Sequence, residues 1–196
     1  MELKVILLAV LSFLYHSNGA VYELVVYDEY IFSSCPDPAP GTLDIHGFLD
    51  LSEFSTEMDS DGGVTVSGNT TLVWDIQLGD RVEFAVKLFY LDRGTWTPTM
   101  FSVLIRDFCK VMYDKNQIWY NVWTRHITND IKDKCVNVPG MKIMLEKYVL
   151  NLTVTGPIRD GRHKAYVTFR AFDAFNVERP TSICYEIISD LYKVQK

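Results

Sequence analysis

Apolar and polar side chains alternate along most of this 196-residue chain, and the alternation limits the folds open to it. From Val82 to Tyr90, every second residue is apolar, whereas Arg81, Glu83 and Lys87 occupy the other phase. A period of two residues is typical of strands that bury one face and expose the other. The pattern therefore predicts a protein built mainly of β-strands.

Seven segments show this alternation, and we expect each of them to form a strand. About seven strands in one chain favour an immunoglobulin-like sandwich of two sheets. The segments span residues 21–32, 43–51, 64–77, 82–90, 141–155, 164–173 and 182–193.

The amino terminus has a different character, because Lys4 is followed by a largely apolar run from Val5 to Tyr15. This run is shorter than the ~20 residues that a helix needs to cross a bilayer. Ser17 and Gly19 supply the small side chains of a signal-peptidase site. We expect residues 1–19 to be a secretory signal peptide, and residues 20–196 to be a single secreted domain that does not span a membrane.

Secretion would bring the four cysteines, Cys35, Cys109, Cys135 and Cys184, into an oxidising compartment where thiols pair. Four cysteines allow three pairings, and the sequence does not choose among them. We favour a nested arrangement, in which Cys109–Cys135 would close a central segment and Cys35–Cys184 would tie the first strands to the last. A zinc site is disfavoured because the chain has no CxxC motif and no ligand-like histidine spacing.

Two N-glycosylation sequons begin at Asn69 and Asn151. In both predicted strands the inward apolar residues have even numbers, so the two asparagines fall on the opposite face. A glycan is bulky and must face water. We therefore expect both asparagines to be exposed glycosylation sites.

Charge and motif content bear on the class of function. A net charge of −6 argues against binding to nucleic acid or to anionic lipid surfaces. The chain lacks a GxSxG elbow, an HExxH motif, a phosphate-binding glycine loop and a dinucleotide fingerprint. We expect a protein that is not an enzyme and uses no cofactor or metal.

Between residues 99 and 133 the apolar spacing changes to one of four residues and predicts a short helical insertion. Either this insertion packs against a sheet, or it forms a lid that presents Trp119 and Trp123 to an apolar ligand. The first predicted helix follows Thr99 with Met100, Leu104 and Phe108, and the second follows Asn116 with Trp119, Trp123, Ile127 and Ile131.

Several continuous stretches closely resemble the insect CheB proteins, and the resemblance runs the full length of the chain. CheB proteins are secreted chemosensory proteins of taste sensilla that are tied to pheromone perception. They are similar to the ganglioside activator protein and to the ML lipid-recognition superfamily, whose β-sandwich opens into a lipid-holding cup. The stretches are DRGTWTPT (92–99), DFCKVM (107–112), QIWY (117–120), FRAFD (169–173), NVERP (176–180) and SIC (182–184).

The resemblance implies a non-enzymatic binding protein of the sensillar lymph that binds or presents a lipid-like or hydrocarbon pheromone and modulates the pheromone response. Its partners would be an apolar small molecule or lipid and a chemosensory receptor or ion channel. The alternative is an accessory protein that presents lipid to a receptor or a lipid-active enzyme. The nested cysteine pairing agrees with the first-to-last bridge of the ganglioside activator. The apolar pattern gives candidate ligand-binding residues: Trp74, Phe84, Trp96, Phe101, Leu104, Trp119, Trp123 and Phe169.

Overall fold

The computed structural model describes residues 20–26, 31–59 and 63–194, and in them two β-sheets pack against each other. The mainly β fold and the two-sheet sandwich predicted from the alternation are confirmed. The predicted signal peptide lies outside the described residues.

The large sheet has eight strands. They are β1 (Val21–Val25), β2 (Ser33–Ser34), β3 (Thr42–Leu43), β7 (Arg81–Asp92), β8 (Thr95–Ile105), β10 (Leu152–Thr155), β11 (Gly161–Phe172) and β12 (Glu178–Lys193). Six of them follow the order β10-β1-β12-β11-β7-β8, while the short strands β2 and β3 pair with β12.

The small sheet is formed by β4 (Leu49–Asp50), β5 (Phe54–Met58), β6 (Val64–Leu72) and β9 (Lys142–Leu150). Strand β6 pairs antiparallel with each of the other three.

Aromatic side chains fill the space between the sheets. The ring of Phe169 on β11 lies 4.8 Å from that of Phe48 and 4.9 Å from that of Phe84 on β7, measured between centroids. Phe48 in turn packs edge-on against Trp74. Phe84 and Phe169 occupy directly paired, inward positions of β7 and β11, so the alternation in sequence places both rings in the same hydrophobic core. A second, smaller cluster is formed by Val26, Ile31, Val64 and Val66.

Several predicted strands have different limits in the structure. Of the predicted strand 21–32, Val21–Val25 forms β1, and residues 27–30 lie outside the described residues. The predicted strand 43–51 is wrong, because a 3₁₀ turn at Ile45–Gly47 interrupts it, with the Asp44 carboxylate accepting a hydrogen bond from the His46 amide. The predicted strand 64–77 ends at Leu72, although Trp74 and Ile76 remain buried beyond it. Alternating apolar residues indicate that side chains are buried, and here the burial continues beyond the last residue of the strand.

The predicted strand 141–155 is divided at Asn151 into β9 and β10. Strand β9 pairs with β6 in the small sheet, whereas β10 pairs with β1 in the large sheet. The chain therefore passes from one sheet to the other at Asn151, which is exposed. The described residues contain twelve strands rather than about seven.

The first predicted helix is wrong, because Met100 and Leu104 lie in β8 and Phe108 begins a 3₁₀ turn. Antiparallel pairing of β8 with β7 holds this segment as a strand. An apolar spacing of four over so few residues is only weak evidence for a helix. The second is confirmed as one short helix, α1 (Ile118–Val122), and a 3₁₀ turn at Thr124–His126. It does not continue to Ile131, since Ile127 bridges to Leu145 of β9.

Both favoured disulfides are confirmed. Cys35 pairs with Cys184 across a Cα–Cα distance of 5.8 Å, and Cys109 pairs with Cys135 across 5.3 Å. The first bridge joins the segment after β2 to β12, and the second closes the loop that holds α1. In the described part of the chain, no helix is both long and apolar enough to span a membrane.

Candidate ligand-binding cup

The large sheet curls until its two outermost strands approach each other. Phe101 belongs to β8 and Gly156 directly follows β10, and these strands lie at opposite ends of the strand order. Nevertheless, the Phe101 ring lies 3.9 Å from the position that a Cβ on Gly156 would occupy, and Ile158 lies 3.8 Å from it. The sheet is therefore a half-barrel with a concave inner face.

A bulge in β8 carries Phe101 to this meeting point. Lys87 pairs with Ser102 and Phe89 with Pro98, so three residues of β8 lie opposite Leu88. The Thr99 hydroxyl donates to the Leu88 carbonyl at 2.8 Å and accepts from the Phe101 amide at 3.1 Å. A bulge of this kind bends its strand, and here it does so where the half-barrel closes.

Strand register extends the inner face beyond the aromatic core. On β7, Leu88 and Tyr90 continue the phase of Phe84, and they pair with Ala165 and His163 of β11. His163 also pairs with Ser189 of β12. We use the term "cup" for the inner-face residues past the core: Leu88, Tyr90, Phe101, Ile158, His163, Ala165 and Ser189.

The cup differs from the core in how completely its apolar side chains are covered. Phe84 and Phe169 are 7% and 2% exposed. Further along the same strands, Leu88 and Ala165 are only partly buried, as is Phe101 on the neighbouring β8. The inner face thus passes from a closed core to an apolar surface that remains partly accessible, which is the arrangement that an apolar ligand requires.

Three polar side chains lie in a row across the cup. Tyr90, His163 and Ser189 occupy directly paired positions on β7, β11 and β12, and the Tyr90 and His163 rings are 5.1 Å apart. His163 is 1% exposed and Ser189 is 5% exposed. The guanidinium of Arg159 lies 5.6 Å over the Tyr90 ring.

The protonation of His163 follows from its contacts. Its Nδ1 is 2.8 Å from the Gly161 carbonyl oxygen, which can only accept, so Nδ1 carries the proton and donates. Burial lowers the pKa of the imidazole below its usual value, although the hydrogen bond to Gly161 and the negative charge of Asp190 act in the opposite direction. The neutral tautomer that results has an accepting lone pair on Nε2.

The structure brings five of the eight predicted ligand-binding residues together, but in the core. Trp74, Phe84, Trp119 and Phe169 are buried there, and Trp123 packs against them. The Phe84 ring contacts those of Trp119 at 5.2 Å and Phe169 at 4.9 Å, measured between centroids. A role of these five in ligand contact stays a prediction.

The other three predicted residues lie along β8. Phe101 belongs to the cup, as described above. Trp96 and Leu104 face the opposite, outer side of the sheet, where Trp96 lies beneath the Lys164 ammonium at 5.0 Å and Leu104 is 58% exposed.

The segment around α1 closes one side of the sandwich. The indole of Trp119 donates to the carbonyl oxygens of Val111 and Met112, both at 3.2 Å, while its ring packs 5.3 Å from that of Phe108. These contacts match the packing interpretation of the insertion and tie Trp119 into the core.

Sequence reasoning missed Tyr90, His163 and Ser189 as site residues. Tyr90 could have been found, because it continues the inward phase of β7 past Phe84. His163 and Ser189 could not have been found in this way, because a polar residue at an inward position breaks the apolar alternation. Only the register of the paired strands shows that they lie on the inner face.

A second concavity lies on the outer side of the large sheet, beside the Cys35–Cys184 disulfide. It is an open depression of about 360 Å³ that is lined by Ser34, Pro38, Thr42, Leu43, Asp44 and Gly47. Among the described residues, no group of three or more His, Cys, Asp or Glu side chains is placed to hold a metal ion.

The chain matches no known protein-family profile, and no curated protein is detectably similar to it in sequence.

Proposed function

We propose that this protein is a secreted, non-enzymatic carrier that holds an apolar molecule in the cup. The observation that carries the proposal is the partly exposed apolar inner face formed by Leu88, Phe101 and Ala165 beyond a closed core. Burial of an alkyl chain against such a face contributes about 0.8 kcal/mol for each CH₂ group. The two disulfides support residence in an oxidising compartment.

The resemblance to CheB proteins adds a ligand class, a location and a partner to this proposal. In that setting the protein binds or presents a lipid-like or hydrocarbon pheromone in the lymph of gustatory sensilla. Its partner there is a chemosensory receptor or ion channel.

The test uses the full chain expressed through a eukaryotic secretory pathway and collected from the medium. We expect the fluorescence of N-phenyl-1-naphthylamine, an apolar probe, to rise and shift to the blue on binding. Ala165→Trp, which fills the cup, should weaken probe binding at least tenfold. Ala85→Trp is the matched control, because Ala85 lies one strand away on the outer face of the same sheet.

Both variants must retain the melting behaviour of the wild type for the comparison to hold. If Ala85→Trp weakens the probe as much as Ala165→Trp, the cup is not the binding site. If the wild-type protein leaves the probe fluorescence unchanged over the whole titration, the carrier function is refuted.

A further inference from the structure

We infer that the cup selects a neutral long-chain molecule bearing a hydroxyl group, and that Tyr90, His163 and Ser189 bind this hydroxyl. The inference rests on the proposed carrier function and adds the chemical class of the ligand.

The polar row is set within an otherwise apolar surface. On the core side it is followed by Leu88 of β7 and Ala165 of β11, which are the inward neighbours of Tyr90 and His163. An alkyl chain lying on Leu88 and Ala165 would therefore bring its end group to the row. Polar side chains placed in this way fix the orientation of an apolar ligand.

His163 decides which end group is accepted. Its Nδ1 proton is already donated to the Gly161 carbonyl, and within the described part of the chain its Nε2 has no hydrogen-bond partner. A neutral Nε2 can only accept, so the ligand must donate. A hydroxyl donates, whereas an alkane, an ester and an ionised carboxylate do not.

Ser189 supplies the complementary group. The described residues give its hydroxyl no hydrogen-bond partner, and the residue is 5% exposed. The hydroxyls of Ser189 and Tyr90 can both donate to the ligand oxygen while His163 accepts its proton. A ligand hydroxyl can act as donor and acceptor at once, so it completes this set, whereas a ligand that only accepts leaves the lone pair of Nε2 unused.

Carboxylates are disfavoured for a second reason. Ionised dodecanoate could accept from the Tyr90 and Ser189 hydroxyls, but its negative charge would also face the lone pair of Nε2, because the burial of His163 opposes protonation. Arg159 is a cation beside the row, but it is exposed and stacks over the Tyr90 ring. Its attraction for a carboxylate is therefore screened by solvent.

The test measures displacement of N-phenyl-1-naphthylamine by four ligands of matched chain length: 1-dodecanol, dodecane, methyl dodecanoate and sodium dodecanoate, at pH 7.5. We expect 1-dodecanol to bind about tenfold more tightly than the ester and the acid, which corresponds to one well-formed hydrogen bond in an apolar site. In His163→Leu the preference for 1-dodecanol over the ester and the acid should fall below threefold.

Ser189→Ala provides a second, milder variant if His163→Leu does not fold, and it should reduce the affinity for 1-dodecanol about threefold. Equal affinities for all four ligands in the wild type would overturn the inference and leave the carrier function standing. A preference for dodecanoate that Arg159→Gln abolishes would likewise overturn it. Failure of every ligand, together with failure of the probe to bind, would instead refute the carrier function itself.

Discussion

The ammonium group of Lys164 lies 2.7 Å from the Glu186 carboxylate, and both side chains are less than a tenth exposed. The pair lies on the outer face of the large sheet, where Lys164 is also held over the rings of Trp96 and Phe89 at 5.0 and 5.5 Å. A buried charge without its partner is costly, whereas removal of both charges costs little.

We therefore expect Lys164→Met alone to lower the free energy of unfolding by about 3 kcal/mol. The double variant Lys164→Met/Glu186→Leu should recover most of that loss. A double-mutant cycle measures the interaction: the free energy of unfolding in urea is determined for the wild type, the two single variants and the double variant. Additive losses in the double variant would show that the two charges do not interact.

Truncation of Trp119 should affect stability rather than ligand selection. Its ring contacts those of Phe84 and Phe108, and its indole N–H donates to two backbone carbonyls. We expect Trp119→Ala to destabilise the protein by about 4 kcal/mol. Probe affinity per folded molecule, measured below the melting temperature, should remain that of the wild type; a selective loss of affinity would place Trp119 in the site.

The two disulfides should contribute unequally to stability. In the chain-entropy description, closure of the 26-residue separation between Cys109 and Cys135 stabilises by about 3.5 kcal/mol, and closure of the 149-residue separation between Cys35 and Cys184 by about 5 kcal/mol. The measurement compares the thermal unfolding of two variants, one with Cys35 and Cys184 replaced by serine and one with Cys109 and Cys135 replaced by serine. The variant that lacks Cys35–Cys184 should lose more stability. A larger loss from the shorter bridge would mean that local strain or residual structure dominates.

The stability should depend on pH through His163. Its pKa is lowered in the folded state, so the unfolded chain takes up the proton first as the pH falls below about 6.5. The stabilisation from the neutral imidazole is present above that pH and is lost on acidification. The negative charge of Asp190 favours the protonated imidazole and offsets part of the effect of burial on the pKa of His163.

Chemical denaturation at both pH values isolates this effect when the wild type is compared with His163→Leu. The wild type should lose more stability than the variant between pH 7.5 and 5.5. Equal losses would show that His163 does not titrate differently on folding.

Asn151 should be the more fully glycosylated of the two sequons. It is exposed between β9 and β10, whereas Asn69 is only partly exposed and its amide donates to the Glu53 carboxylate at 2.8 Å. Intact-mass analysis of secreted Asn69→Gln and Asn151→Gln, before and after glycosidase treatment, gives the occupancy of each site. Full occupancy at Asn69 with none at Asn151 would contradict this order.

The alternation predicted the sandwich because burial of one strand face is a local property of sequence. Phe84 and Val167, for example, keep the inward phase that the pattern assigns to them. The transfer at Asn151 and the bulge at Thr99 were not predictable in this way, since both depend on which strand lies alongside. The cup depends on both features, and sequence therefore located only Phe101 within it.

The tryptophans illustrate why the candidate site was harder to predict than the fold. A core and the wall of a cavity require the same large apolar side chains, and spacing alone does not distinguish them. The apolar spacing made Trp119 a candidate lid residue. Its indole hydrogen bond to a backbone carbonyl and its contact with the Phe84 ring place it in the core instead. In contrast, the exposure that marks the cup arises from the curl of the sheet, which no single segment encodes.

A single residue, Asn151, joins the strand of one sheet to the strand of the other, and Leu150 and Leu152 are the partly buried neighbours on either side of it. Loss or gain of one residue at this junction would reverse the facing of every side chain in β10, because neighbouring strand residues point to opposite sides. The length of this connection is therefore constrained as tightly as the strands themselves, even though the residue that forms it is open to solvent.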